Sequence, residues 1–541
     1  MNKIGMNKPI KTMCKMEKTM KFLSMAALAL MGAVMTGCSS DSDELFSEPQ
    51  QPENKDKVET LTTTVSFGDG VAATRALTEK GEKTFAVGDQ IAVVYENTSG
   101  TTVKATSVAL AAGDITNGGK SANFTVTVTN ADKTKNVKYI YPASIAKDNG
   151  DVNYDALATQ DGTQATIASS LDACEGSDSW NGGNLPVITL DNLFTLCKFT
   201  IKAGGSDITA DITCLTIKNG SDIYTVNTSS LSYIWVAMKP VTTGDITVYA
   251  AKGKDLYKKT VSGKALDKGK IYPINVTTTK VDGAISGQFT VNSSGKKVYF
   301  SQGNLQATTT DSWSTWTFSF MDYQYSTVET NADPYCTANY GDKTVVSLFG
   351  WGTSGYEHRT YHWQPYSTKN DPGYYGAYYS AYYDLNQAGQ NGNADWGYNA
   401  ISNGGNTENS GWRTMTSDEW SYLLTNHTKR WATVNGVSGL VIRPDGVSAA
   451  VAATYTAEAW AVEEAAGAVF LPAAGVRVGN ADTQNKSYVI SVGTNAFYWT
   501  ATSYDDGLHK AYRTNIDAYT TEVTNNANKA CGNAVRLVRD L

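Results

Sequence analysis

Between residues 85 and 276 the sequence repeats one pattern: short apolar–polar alternations rich in Thr and Val, each cut off by Gly, Asn or Asp. Successive side chains of a strand point to opposite faces, so alternation with period two predicts half-buried strands. No apolar stripe of helical period competes with it here. Strands are expected near residues 90–95, 122–128, 137–141, 197–201, 212–217, 233–238, 245–250 and 270–276, and Leu61-Thr62-Thr63-Thr64-Val65-Ser66-Phe67 alternates in the same way. Short strands of this kind bury their apolar faces by stacking sheet on sheet. Residues 58–280 are therefore expected to form a β-sandwich region, with a break between two subdomains near 178–184.

A shift in composition marks residues 277–283 as a linker, after which Tyr, Trp, Gly and Asn dominate. Trp316, Phe318 and Phe320 have the even spacing of a strand with an aromatic face. Residues 361–393 read as a long tyrosine-rich loop, a class of segment that often carries function. One helix is evident: Thr416 as N-cap, Glu419 three residues on, and Trp420, Leu423 and Leu424 on one side form a capping box ahead of an apolar stripe. The remainder returns to strands near 439–443, 468–472, 496–501, 509–515 and 533–538. The expected class is mainly β, a sandwich region followed by an α+β domain over residues 284–541.

The N-terminal stretch sets the compartment. Lys15, Lys18 and Lys21 precede an apolar run over residues 22–34, which closes on Thr36, Gly37 and Cys38. A helix needs about 20 apolar residues to cross a bilayer, so the shorter run reads as the apolar part of a secretory signal. Val34-Met35-Thr36-Gly37-Cys38 resembles a bacterial lipobox, which implies removal of residues 1–37 and acylation of Cys38. An ordinary cleaved signal followed by an incidental cysteine is the alternative. Two or more acyl chains suffice for stable anchoring. Ser39-Ser40-Asp41-Ser42-Asp43-Glu44 resembles the acidic tag that sends lipoproteins of the Bacteroides group to the outer leaflet of the outer membrane. Residues 38–57 have little to bury and read as a flexible tether.

The net charge of −7 over 541 residues gives no basis for nucleic-acid binding. Beyond Cys14 and Cys38 the cysteines are Cys174, Cys197, Cys214, Cys336 and Cys531, with no CxxC, which argues against a zinc site. Export permits a disulfide among Cys174, Cys197 and Cys214; small buried thiols are the other reading. The 31 tyrosines and 12 tryptophans suit strands and recognition surfaces alike.

Thr74-Arg75-Ala76, Phe85-Ala86-Val87-Gly88-Asp89-Gln90-Ile91, Tyr141-Pro142-Ala143 and Lys268-Gly269-Lys270-Ile271-Tyr272-Pro273 together make residues 58–280 resemble the fimbrillin-like domains of Bacteroides-group pili and surface lipoproteins. The resemblance implies assembly with other pilin subunits by strand donation. It also implies proteolytic processing at Arg75, which a plain inter-strand turn would not require.

Residues 284–541 resemble C-type-lectin-like domains of Bacteroides-group surface proteins and, more distantly, the sulfatase-modifying formylglycine-generating fold. The resemblance rests on Asp395-Trp396-Gly397, Trp412-Arg413-Thr414-Met415-Thr416, Phe470-Leu471-Pro472-Ala473-Ala474-Gly475, Tyr498-Trp499-Thr500-Ala501-Thr502 and Val535-Arg536-Leu537-Val538. The paired copper-binding cysteines of the enzyme family have no counterpart in Cys336 and Cys531. His358, His362, His427 and His509 form no metal-ligand pattern, and the calcium-lectin signature is missing, so no enzyme, cofactor or metal is expected. Related domains present variable side chains near their C-terminal end. Here those positions are Tyr504, Asp505, His509, Arg513, Asn515, Asp517, Tyr519, Asn525, Asn526 and Asn528; the Asn-rich run also reads as a solvated hairpin. Alternation places Arg513, Asn515 and Asp517 on one face, opposite Tyr512, Thr514 and Ile516. Trp412, Trp420, Trp499 and Arg536 read as frame, while Trp351 and Tyr356 are open to either role. The expected function is a surface lipoprotein adhesin, at a fimbrial tip, binding a host, bacterial or glycan ligand. A pilus subunit assembled by strand donation, and an enzyme of the sulfatase-modifying fold, are the alternatives.

Overall fold

The computed structural model describes residues 56–68, 84–171, 173–308, 316–331, 345–353, 384–385, 394–479, 487–504, 510–529 and 531–541. Cys38, Arg75, Cys336, Tyr356, His358, His362, Asp505, His509 and the loop at 361–383 lie outside them. The alternation at the start becomes the strand Val58–Phe67, with Thr63, Val65 and Phe67 buried and the residues between them partly open. It pairs antiparallel with Ser121–Thr129 and parallel with Ile188–Asn192, near the middle of an eight-stranded sheet. Phe67 and Phe85 stack at 4.1 Å over its core. Asp89 explains the motif around it: its carboxylate accepts from the Ala86 backbone N–H (2.8 Å) and the Tyr141 hydroxyl (2.9 Å), which ties the turn to a core strand.

The expected break at 178–184 lies inside this sheet, because Cys174–Ser179 and Ile188–Asn192 are neighbours in it. The crossing to the next sheet comes later, between Asn192 and Thr195. Polar loop composition misled here, since a hairpin connection has the same composition as an interdomain one.

The second sheet has twelve strands and is organised on Ile271–Thr290, a strand of 20 residues. Its first half runs parallel to Thr195–Ala203, and its second half runs antiparallel to Lys297–Ser301. Residues 277–283, expected as a linker, are thus strand. They look polar because Thr277, Thr279, Lys280 and Asp282 face solvent while Thr278 faces in. One face of the sheet, with Leu215, Ile217, Val226 and Val248, packs on Phe199, Val236 and Met238 to close the sandwich core. On the other face Tyr249 meets Tyr299 at 5.6 Å and Thr216 receives the Gln288 amide, so that the sheet is covered on both sides.

The molecule is mainly β, with a smaller α+β part after residue 284. Helix Ser417–Asn426 begins as the sequence dictates: Thr416 Oγ1 accepts from Glu419 N (3.2 Å), and Glu419 Oε2 accepts from Thr416 N (3.0 Å). A second helix, Ala457–Ala465, was not expected; only Trp460 is buried, so no apolar stripe announces it, although Thr456 caps it. Strand Leu537–Asp540 sits between Lys297–Ser301 and Trp412–Thr414. Beyond it, Leu541 N–H donates to Lys297 O (3.0 Å) and Lys218 Nζ donates to Leu541 O (2.6 Å). Residues 56–541 make one compact unit, and among the described residues no helix is long and apolar enough to cross a membrane.

Among the described residues no disulfide joins Cys174, Cys197 and Cys214, so of the two readings the sequence left open the thiol one holds. Each sits on a different strand or loop of a packed interior: Cys174 donates to Asn192 Oδ1 (2.8 Å), and burial pushes the Cys197 thiol up to about 12.

Candidate functional site

Three strands, Trp499–Tyr504, Lys510–Ile516 and Thr521–Asn528, carry the residues expected to meet a ligand. Their inner side is locked. Trp499 is fully buried, its indole N–H donating to Phe349 O at 2.6 Å, and Ala511, Thr514 and Ile516 face the same core. Tyr498, Leu537 and Val538 are buried beside it, and Arg536, only 1% exposed, donates to Gln324 Oε1 at 2.7 Å. Trp412, Trp420, Trp499 and Arg536 are frame, as their positions implied. Trp351 joins them: it is buried, donates to Thr500 O (2.9 Å), and lies 4.2 Å beneath the Lys529 ammonium. Lys529 was missed from the sequence, because nothing local marks a lysine that will stack on an aromatic ring more than a hundred residues away.

The outer side divides the expected residues. Asp517 Oδ1 accepts from the backbone N–H groups of Tyr519 (2.7 Å) and Thr520 (2.6 Å) and so closes the turn between the second and third strands. That turn leaves Tyr519 99% exposed. Tyr504 packs edge-on to Tyr512 with ring centres 5.6 Å apart, and Asn515 reaches Glu522 at 3.4 Å across the strand pair. Arg513 keeps the expected alternation with buried Thr514 and Ile516, and the register shift between Ala511 and Arg513 falls on Tyr512, which is partly open instead of buried with them. Arg513 is nevertheless covered: its guanidinium stacks 4.1 Å from the Phe497 ring and donates to Asn533 Oδ1 (3.1 Å). Burial holds its pKa below the usual arginine range, the environment of a frame residue. Asn528 lies opposite Lys510, and its carbonyl accepts from Cys531 N–H (2.9 Å). Asp505 and His509 lie outside the described residues, as do the side chains of Asn525 and Asn526. The structure therefore brings Tyr504, Asn515, Asp517 and Tyr519 onto one sheet and assigns Arg513 to its support.

Among the described residues no group of three His, Cys, Asp or Glu side chains could hold a metal ion. His427 is occupied otherwise: Nε2 meets Asp445 Oδ1 at 2.9 Å and Nδ1 faces Leu423 O at 3.2 Å. Asp445 also accepts from Thr290 N (2.9 Å) and Oγ1 (2.8 Å) and pairs with Lys297 (3.2 Å). Burial opposes its ionisation, but these donors outweigh burial and hold the carboxyl well below the usual range.

No family model matches the chain, and no curated protein matches it. Among solved structures it is similar to a fimbrial assembly protein from Parabacteroides distasonis, at 12% identity and a TM-score of 0.25, over 45% of this chain and 96% of that one. It is also similar to a fimbrial protein from Bacteroides ovatus, at 10% identity and a TM-score of 0.22, over 88% of this chain and 99% of that one.

Proposed function

We propose that the protein is a surface adhesin, anchored in the outer membrane through lipid on Cys38, in which the sandwich sheets carry residues 284–541 toward a glycan or protein ligand. The observation that carries this reading is Tyr519, held 99% exposed at the tip of a turn whose own strands are locked into a core. A tyrosine so exposed has no packing role, and its area and hydroxyl suit recognition at low entropic cost. Asn515 and Asp517 stand at the same end of the sheet with hydrogen-bonding groups, and Tyr504 adds aromatic area at the other end, opposite Lys510; Asp505, His509, Asn525, Asn526 and Asn528 belong to the proposed surface by sequence position.

A second observation favours a fibre role alongside this one. Strands Asp255–Leu266 and Ile271–Thr290 pair only from Asp255 opposite Ile285 to Lys258 opposite Thr279, then part. The gap between them is a cleft of about 450 Å³ lined by Phe199, Met238, Val261, Leu266, Ile274 and Val276. Two parted strand edges over an apolar floor suit addition of a strand from a pilin subunit. Residues 531–541, by contrast, are built into the interior as far as Leu541 and form no free arm to donate. A subunit that accepts a strand without donating one ends a fibre, which supports a tip over a shaft. Processing at Arg75 would sever the covalent link to the lipid on Cys38 and leave strand Val58–Phe67 held only by its sheet neighbours, so it belongs to a fibre-assembled form and not to the anchored one; Arg75→Ala would keep the precursor uncut and anchored.

The test is a glycan and host-protein array probed with the full chain, followed by calorimetry on the hits. Tyr504→Ala combined with Tyr519→Ala is expected to cost about 2 kcal/mol or more of binding, as loss of a central aromatic contact does. Unchanged affinity in a folded double variant would refute the proposed surface. Membrane fractionation checks the anchor: Cys38→Ala is expected in the soluble fraction or unprocessed, and a processed variant that stays membrane-bound would rule out acylation there.

A further inference from the structure

We propose that the cleft between the twelve-stranded sheet and the loop at 444–447 is a binding site for a neutral sugar unit, separate from the Tyr519 surface. The cleft has a volume of about 520 Å³, floored by Cys214, Thr225 and Ala251 and walled by Gln288, Gly446 and Ala465. Ligand sites commonly measure about 300–1,000 Å³.

Its walls are set before any ligand arrives. The chain after helix Ala457–Ala465 lies directly against the long strand, so close that a Cβ on Gly287 would fall 2.0 Å from Gly467 O. The loop on the other side is fixed by the four donors to Asp445, and Lys254 pairs with Glu464 across the same junction at 3.6 Å. A preformed cleft spares a ligand the cost of ordering its site.

The lining selects the ligand class. Lys297 and Asp445 are its two charged residues, and they neutralise each other at 3.2 Å, so an ionic ligand finds no free counter-charge. The described lining residues include no aromatic ring on which a planar ligand could stack. What they offer is methyl groups interleaved with the hydroxyls and amides of Thr159, Thr213, Asn227 and Ser286. The floor strands are each hydrogen-bonded to a neighbour on both sides, which denies an added peptide strand its backbone partners. A ligand must then be held through side chains.

The donors and acceptors within reach belong to the lining strands. Gln288 is 8% exposed and its Nε2 donates to Thr216 Oγ1, while its Oε1 is closed off from solvent and only backs the wall. Thr225, paired with Thr159 across the strands, and the exposed Asn227 offer groups that a sugar hydroxyl can meet without bringing charge.

The experiment is saturation-transfer NMR of the full chain against glucose, galactose, mannose, fucose and N-acetylglucosamine, with calorimetry on any binder. Modification of Cys214 by a small thiol reagent, read by peptide mass mapping, locates the occupied site. At least one neutral sugar is expected to bind and to slow labelling of Cys214. Thr225→Val, which keeps the shape and removes a lining hydroxyl, should weaken that binding about tenfold, the worth of one hydrogen bond, and Tyr519→Ala should leave it unchanged. If Thr225→Val does not fold, Asn227→Ala, at an exposed position of the lining, takes its place with the same expected direction. Binding by none of the sugars overturns the proposal. So does binding that ignores the lining variant, or that leaves Cys214 unprotected. Because Tyr519→Ala is the control, failure here is distinguishable from failure of the adhesive surface.

Discussion

The core beneath the eight-stranded sheet and the core after residue 284 are filled with different chemistry. Around the first sheet the buried side chains are aliphatic or aromatic with few exceptions, and polar ones such as Thr63 and Asp89 serve a single carbonyl or turn. After residue 284 the interior takes in Asp395, Arg477, Lys529 and Arg536, each 1% exposed. Arg536 spans Gln324 and Asn304, and Gln324 in turn holds Phe470 N–H (2.9 Å) and Glu464 (3.0 Å). Asp395 accepts from Gly397 N–H and from both the N–H and hydroxyl of Thr414. The first core needs shape and pattern; the second also needs specific partners far apart in the chain.

The largest expected effect lies in the second core. Trp499→Ala removes a fully buried indole and strands Phe349 O, and is expected to cost about 3–5 kcal/mol in chemical denaturation. Arg536→Met comes next: it takes one of two donors from Gln324 Oε1, which keeps the Phe470 N–H, and removes the guanidinium that faces Asn304 Oδ1, at about 1–3 kcal/mol in all. Its counterpart in the first core, Leu190→Met, keeps volume and should cost less than about 1.5 kcal/mol. Equal costs for the two would break the comparison. A smaller effect is visible only in acid. Asp445 titrates lower when folded than the unfolded value of about 3.9, so its contribution is present above that pH and is lost as pH falls below it. Asp445→Asn should therefore flatten the fall in stability below about pH 4, and an unchanged acid limb would show that other carboxylates govern it. Smallest of all, Tyr519→Ala should leave the unfolding midpoint within experimental scatter, because the side chain touches nothing it could destabilise. A clear shift would mean that the turn is part of the fold.

This contrast also explains what the sequence disclosed. Period-two alternation marked most strands of residues 58–280, because each buries one face by itself. Thr416 and Glu419 marked their helix, because a capping box is local. Helix Ala457–Ala465 was invisible, having one buried residue and no stripe. The cover over Arg513 was invisible too, because Phe497 and Asn533 meet it only through tertiary contact. Residues 277–283 misled for the opposite reason: a strand with solvent on one face has the composition of a linker. In the candidate site Asp517 and Tyr519 came from the resemblance, the turn that Asp517 closes went unread, and Lys529 over Trp351 depended on tertiary contact alone.

The position of Leu537–Asp540 constrains the order of assembly as the chain is made. Its two neighbours, Lys297–Ser301 and Trp412–Thr414, are made and delivered much earlier, and both present unpaired edges until it arrives. Closing that sheet brings together chain segments separated by more than a hundred residues, a slow kind of contact to form. For that interval the emerging molecule has a sticky seam, and a chaperone would find its natural target there, in the gap that residues 537–540 later fill.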